Sequence, residues 1–191
     1  MTELLPPTPS QTVGPFFGFA LPYAGGEVLV VPQTRGERIA IHGTVRDGEG
    51  LPVPDALIEI WQANAAGRYA HPDDERAEAE LDPSFIGFGR CPTDALGRFR
   101  FETIRPGRVP GPDAALQAPH LAVGVLARGL LKRLATRVYF SDEDANAEDA
   151  ILALVDPARR ASLIARRDGD EPSYCFDIVL QGEGETVFFE F

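Results

Sequence analysis

Ile39-Ala40-Ile41-His42-Gly43-Thr44-Val45-Arg46, then Asp47-Gly48-Glu49-Gly50, then Leu57-Ile58-Glu59-Ile60-Trp61 is the stretch that decides the fold. In its first part Ile39, Ile41, Gly43 and Val45 alternate with Ala40, His42, Thr44 and Arg46, the period of a half-buried strand. The Asp-Gly-Glu-Gly run that follows is a turn, and the β-branched and aromatic run after it reads as a second strand. Asn64 to Gly67 makes a further turn, with Tyr69 just beyond it. Downstream, Phe88 to Arg90 and Arg98 to Ile104 repeat the strand pattern, the latter with clean apolar and polar alternation. Leu121 to Ala127, Leu134 to Phe140, Cys175 to Leu180 and Val187 to Phe191 are expected to complete the set.

Helical signals are confined to one late segment. Ser141-Asp142-Glu143 has the acidic opening of a first turn, with Ile151, Leu152 and Val155 as its apolar positions. Asp156-Pro157 reads as the start of a second helix that ends near Arg166-Arg167 and Gly169. The expected class is therefore mainly β: a β-sandwich with Greek-key-like strands, short inserted helices and an extended N-terminal arm. The arm spans residues 1–38, where Pro6, Pro7, Pro9, Pro15, Pro22 and Pro32 oppose regular structure and Phe16, Phe17 and Phe19 offer anchors. It is expected to lie across the body or a neighbouring subunit, and residues 39–191 to form one domain.

Composition narrows the chemistry. A formal charge of −11 removes nucleic acid as a partner, because counterion release requires a basic surface. Arg128, Lys132, Arg133 and Arg137 form a local concentration of positive charge in the sequence. The 2 cysteines, Cys91 and Cys175, are too few for a disulfide framework or a thiolate metal site. Any metal must then be held by the 3 histidines, by tyrosines or by carboxylates. No apolar run has the length of a membrane span, and the first residues lack the basic and apolar regions of a leader, so a cytoplasmic protein is expected.

Beyond this point the reading rests on a resemblance. Ile41 to Val45, Gly50, Val53, Ile58 to Asn64 and Gly67-Arg68-Tyr69 resemble the signature region of the intradiol ring-cleavage dioxygenases. The likeness continues through Leu81-Asp82-Pro83-Ser84-Phe85, Phe88-Gly89-Arg90, Thr103-Ile104-Arg105-Pro106-Gly107, Ala118-Pro119-His120 and Tyr174 to Ile178. Catalytic chains of that family hold one non-haem ferric ion with two tyrosines and two histidines, hard phenolate donors suiting Fe(III).

Carried over one at a time, those positions are only half filled. Tyr69 matches the first tyrosine, while the second falls at Val109 in Pro106-Gly107-Arg108-Val109-Pro110-Gly111. His120 matches the first histidine, the second is Ala122, and an arginine three residues before the first histidine is Gln117. No metal site and no catalytic residue is expected in this chain.

Some members of the family pair an iron-bearing chain with an iron-free homologue. The arm Thr8-Pro9-Ser10-Gln11-Thr12-Val13-Gly14-Pro15 and the ending Gln181 to Phe189 resemble the iron-free type. The resemblance implies a homologous iron-binding partner that holds the Fe(III), in a larger hetero-oligomer that uses dioxygen on a small carboxylated catechol. It also implies that Thr12, Gly14, Pro15 and Arg128 line the substrate pocket at the interface.

Plainer readings stand beside these roles. Tyr69 and His120 fit a core or interface tyrosine and a hydrogen-bonded structural histidine. Arg128 fits a surface arginine, and Thr12 to Pro15 a clasp between subunits. Gly43 to Trp61 also resembles transthyretin-like sandwich repeats, which leaves a non-catalytic ligand-binding or assembly module as the alternative.

Overall fold

A computed structural model describes residues 9, 11–77, 80–111 and 115–190. Thr8 and Ser10 of the arm motif, its leading prolines Pro6 and Pro7, and Phe191 lie outside the described residues.

The strands are β1 (Arg38–Arg46), β2 (Leu57–Trp61), β3 (Phe88–Pro92), β4 (Arg98–Ile104), β5 (Leu121–Leu126) and β6 (Leu134–Phe140). Three shorter ones follow, β7 (Ile164–Arg167), β8 (Ser173–Cys175) and β9 (Ile178–Val179). They run in the order β3-β2-β5-β6-β7-β8-β1-β4, with β9 continuing along β1. The path folds back on itself, so that β3-β2-β5-β6 and β8-β1-β4 face each other as the two layers of a sandwich. Between the layers sit Ile39, Ile41 and Val45 of β1, Ile58 and Ile60 of β2, Phe99 and Phe101 of β4, Val123 and Val125 of β5, and Val138 and Phe140 of β6. These are the alternate residues of each strand, and each such side chain stabilises the fold by about 1.5–3 kcal/mol relative to exposure.

Residues 26–29 join the two open edges. Arg90 of β3 donates its amide to the Gly26 carbonyl at 2.8 Å, and Glu102 of β4 donates to the Glu27 carbonyl at 2.9 Å. Leu29 returns a hydrogen bond to the Glu102 carbonyl at 2.9 Å. One segment therefore satisfies backbone groups of both end strands, which otherwise would be templates for foreign pairing.

Farther forward in the arm, α1 (Phe17–Ala20) forms a single helical turn. Of the three expected anchors only Phe17 is buried, against Leu57 and Leu126, with Val13 and Leu21 packed beside it. Phe16 and Phe19 are 67% and 76% exposed, and their rings pair with each other at 5.5 Å.

The late segment corrects the sequence reading in four places. In place of two full helices there is a 3₁₀ turn over Asp144–Glu148, α2 (Ala150–Ala153) and a second 3₁₀ turn over Arg160–Leu163. Ile164 to Arg167 is the strand β7, because Ile164 and Ala165 pair in parallel with Tyr139 and Phe140. The expected strand from Cys175 to Leu180 is broken into β8 and β9, although both keep one register along β1. At the break the Asp177 carboxylate, in place of a backbone carbonyl, accepts the Thr44 amide at 2.9 Å. Of the expected strand from Val187 to Phe191, the described residues 187–190 form no strand, and Phe189 makes an isolated bridge to Ala135. Among the described residues no helix is long and apolar enough to cross a membrane.

Candidate functional site

The positions carried over from the family gather at the outward face of the β3-β2-β5-β6 layer. Residues paired across neighbouring strands project to the same side of a sheet. Trp61 pairs with Ala122, and Ala122 with Arg137, so these three side chains form one row at one end of that face. Leu57 pairs with Leu126 at the other end, four residues and about 13 Å along the strands. Glu59 lies between them, accepting from Arg90 Nε at 2.6 Å and from Arg133 Nε at 3.2 Å.

Tyr69 reaches the first end through a tight turn. Asn64 Oδ1 accepts the amides of Ala66 and Arg68 at 2.9 and 3.0 Å. Gly67 adopts φ +79°, and a Cβ there would stand 2.0 Å from the Arg108 carbonyl oxygen. The loop of residues 64–69 thereby lies against the segment that carries Val109. The Tyr69 ring stacks on Trp61 at 5.8 Å and 9°. Its amide donates to Asp74 Oδ2 at 2.8 Å. Burial raises the Tyr69 phenol above its ordinary pKa, against the lowering effect of Arg137. Trp61, Tyr69, Asp74, Arg76, Val109 and Pro110 are among the walls of a cleft of about 640 Å³.

His120 immediately precedes β5. Its Nδ1 is 2.8 Å from the Ala118 carbonyl, and its ring tilts against Tyr139 at 5.7 Å. At 5% exposure, burial first and then the Arg137 charge push its pKa down to about 4. Tyr139 donates to Asp149 Oδ1 at 3.1 Å. The same Asp149 carboxylate caps α2 by accepting the Ile151 and Leu152 amides, and it also accepts the Ala118 amide at 2.8 Å. His120 is thus a neutral, hydrogen-bonded histidine held by its surroundings.

Set against a ferric ion, this arrangement does not fit. Val109 and Ala122 have no donor atom, and Val109 is buried. Among the described residues no three His, Cys, Asp or Glu side chains converge as metal ligands. Opposite Ala122 in the β5–β6 pairing stands a guanidinium: Arg137 Nη1 donates to Gln117 Oε1 at 2.6 Å and to the Tyr139 hydroxyl at 3.3 Å. In the sequence Arg137 reads only as part of a basic cluster. The signal that could have singled it out is the β5–β6 hairpin register, which sets it opposite Ala122.

That basic cluster is not a common patch. Arg128 pairs with Asp55, Lys132 with Glu190, Arg133 with Glu59, and Arg137 with Gln117. Alternation along the strands and the turn between them sends the four side chains to different places, each beside its own partner.

Arg128 lies just past the end of β5 that Phe17 and Val13 cover, and its side chain is 75% exposed. Thr12 and Pro15 are exposed, and Gly14 has φ +81° with nothing within 4 Å of a built Cβ. The arm residues and Arg128 thus share one end of the face, while Tyr69, Val109, His120 and Ala122 share the other. The two remaining histidines are ordinary surface groups: His42 Nε2 is 3.4 Å from Asp168, and His71 is 3.6 Å from Asp73.

The dioxygenase family model matches residues 13–182, and the chain belongs to the intradiol ring-cleavage dioxygenases, a family of non-haem iron enzymes. Within that family it is 43% identical over 198 residues to a protocatechuate 3,4-dioxygenase alpha chain of Burkholderia cepacia, covering 96% of each chain. The protocatechuate 3,4-dioxygenase beta chain of the same organism is 43% identical over 159 residues, covering 79% of this chain and 67% of its own. Among solved structures, the dioxygenase domain of a dioxygenase–carbohydrate-binding fusion from Streptomyces sp. SirexAA-E matches with a TM-score of 0.63 and 31% identity. That match covers 93% of this chain and 99% of the other.

Proposed function

We propose that this chain is the iron-free alpha-type subunit of a protocatechuate 3,4-dioxygenase. A homologous beta-type partner holds the Fe(III) and opens the ring of protocatechuate between its hydroxylated carbons with dioxygen, giving 3-carboxy-cis,cis-muconate. The observation that carries this reading is the loss of two donors out of four, at Val109 and Ala122, in a chain otherwise like alpha chains along nearly its whole length. We read the complex as a larger hetero-oligomer in the cytoplasm, in keeping with two free cysteines in a strongly acidic chain.

In this reading residues 1–38 act as an intersubunit arm, and Thr12, Gly14, Pro15 and Arg128 complete the partner's substrate pocket. Their position supports it: the Leu57–Leu126 end of the face, which the arm covers, lies about 13 Å along the strands from Trp61 and Ala122, and Thr12, Pro15 and Arg128 are exposed. Arg128 pairs with Asp55 at the surface, and such pairs contribute about 0–1 kcal/mol, so a substrate carboxylate can replace Asp55 at small cost. Gly14 gives a side-chain-free approach, and Pro15 beside it fixes the path of the backbone.

The test is assembly. Co-purification from the native source or co-expression with candidate partners is expected to yield an iron-bearing homologue bound to this chain and ring-cleaving activity. A native partner that is not an iron-binding homologue would remove the reading.

A further inference from the structure

A half-buried cation stands beside the donor remnant. Ala122, at the position of a lost histidine, faces Arg137 across the β5–β6 pairing, and the two side chains share one side of the sheet. The guanidinium is fixed from two directions, by Gln117 Oε1 at 2.6 Å and by the Tyr139 hydroxyl at 3.3 Å.

Gln117 links it onward. Its Nε2 donates to the Pro110 carbonyl at 3.0 Å, and its amide to the Val109 carbonyl at 2.9 Å. Tyr139 links it to His120 by ring contact and to Asp149 by hydrogen bond. Positions 109, 117, 120 and 122 are thus tied into one network whose hub is Arg137.

We propose that Arg137 is a resident cation that takes over the metal's place in this pocket: it holds the Val109 and His120 segments together and bars a metal ion from the site. The inference rests on reading positions 69, 109, 120 and 122 as the remnant of a metal site. A guanidinium suits the role because it donates in fixed directions, accepts nothing, and keeps its charge at any pH a protein survives, so it can never become a ligand. A metal ion beside it would meet like charge in a partly desolvated site. Glutamine at 117 is consistent with this, since it accepts from Arg137 where an arginine would repel it.

Two full-length variants decide the matter, each purified without its partner, incubated with iron and desalted. Val109→Tyr with Ala122→His restores the donors and keeps Arg137; a second variant adds Arg137→Gln. Metal content and visible tyrosinate-to-iron absorption are read on both, with thermal melting as the folding control. The expected result is at least about tenfold more iron in the variant that lacks Arg137, a difference of about 1.4 kcal/mol in binding. Equal loading of the two folded variants, full or nil, overturns the proposal.

Arg137→Gln alone gives a second reading should the multiple variants fail to fold. Hydrogen exchange at the Gln117 amide is expected to quicken about tenfold while Ile41 in β1 is unchanged, and unchanged exchange at Gln117 overturns the proposal. Iron bound by the unsubstituted chain would instead sink the subunit reading. Iron bound only by the donor-restored chain with Arg137 in place sinks this inference alone.

Discussion

An imidazole carries a proton only where water or an anion stabilises it, and His120 sits where burial and then the Arg137 charge oppose that. Its pKa is pushed down from 6.5 to about 4, so the folded chain binds this proton less readily than the unfolded one. The stability it contributes is present above about pH 6.5 and is lost as the pH falls towards about 4, on the order of 3 kcal/mol across that window. Denaturant melts at pH 7 and pH 4.5 should show His120→Asn losing most of this difference; an unchanged pH slope would mean that His120 is not the titrating group.

Thr103 makes the same kind of argument without charge. Its hydroxyl donates to Gln62 Oε1 at 2.7 Å, both side chains being fully buried. Thr103→Val leaves that oxygen unpaired, and a loss of about 1–3 kcal/mol in unfolding free energy is expected. At this scale the resemblance located Tyr69, Val109, His120 and Ala122 by adjacency in the chain. It passed over Arg137, which meets Ala122 only through a hairpin register that periodicity does not reveal.

At the level of the element, alternation did most of the work. β1 and β4 were legible because each buries every second side chain against a single core. The failures came where tertiary pairing overrode local pattern. Ile164 to Arg167 has the composition of a helix end, yet Ala165 is buried beside Phe140 as a strand. The break between β8 and β9 was unreadable because a side-chain carboxylate, that of Asp177, substitutes for a main-chain acceptor.

Gly43 shows how tightly β1 and the segment after β8 approach. A Cβ at this position would lie 1.8 Å from the Phe176 carbonyl oxygen, a backbone atom that cannot swing aside. Gly43→Ala is therefore expected to cost about 3 kcal/mol or more, a large effect for a one-carbon change. Thermal melting reads it directly, and a melting temperature within a degree or two of the natural chain would contradict the close pairing.

Across the whole molecule, the proposed function divides one face of the sandwich between two tasks. The donor remnant, closed by Arg137, occupies one end; the arm and Arg128 occupy the other and point outward. In the assembled enzyme, Arg128→Ala is expected to raise KM for protocatechuate about tenfold while leaving that for unsubstituted catechol nearly unchanged, as the loss of one charge-assisted contact would. An equal change for both substrates would leave the arginine a structural role.

The central claim is that ring cleavage needs a second chain because this one lacks a metal site. Iron content per protomer, measured on the chain purified alone after exposure to ferrous iron and air, tests it most directly. The expected preparation is colourless, holds far less than one iron per chain and cleaves no catechol until an iron-bearing homologue is added. One iron per lone protomer, with the visible absorption of tyrosinate ligation, would contradict it.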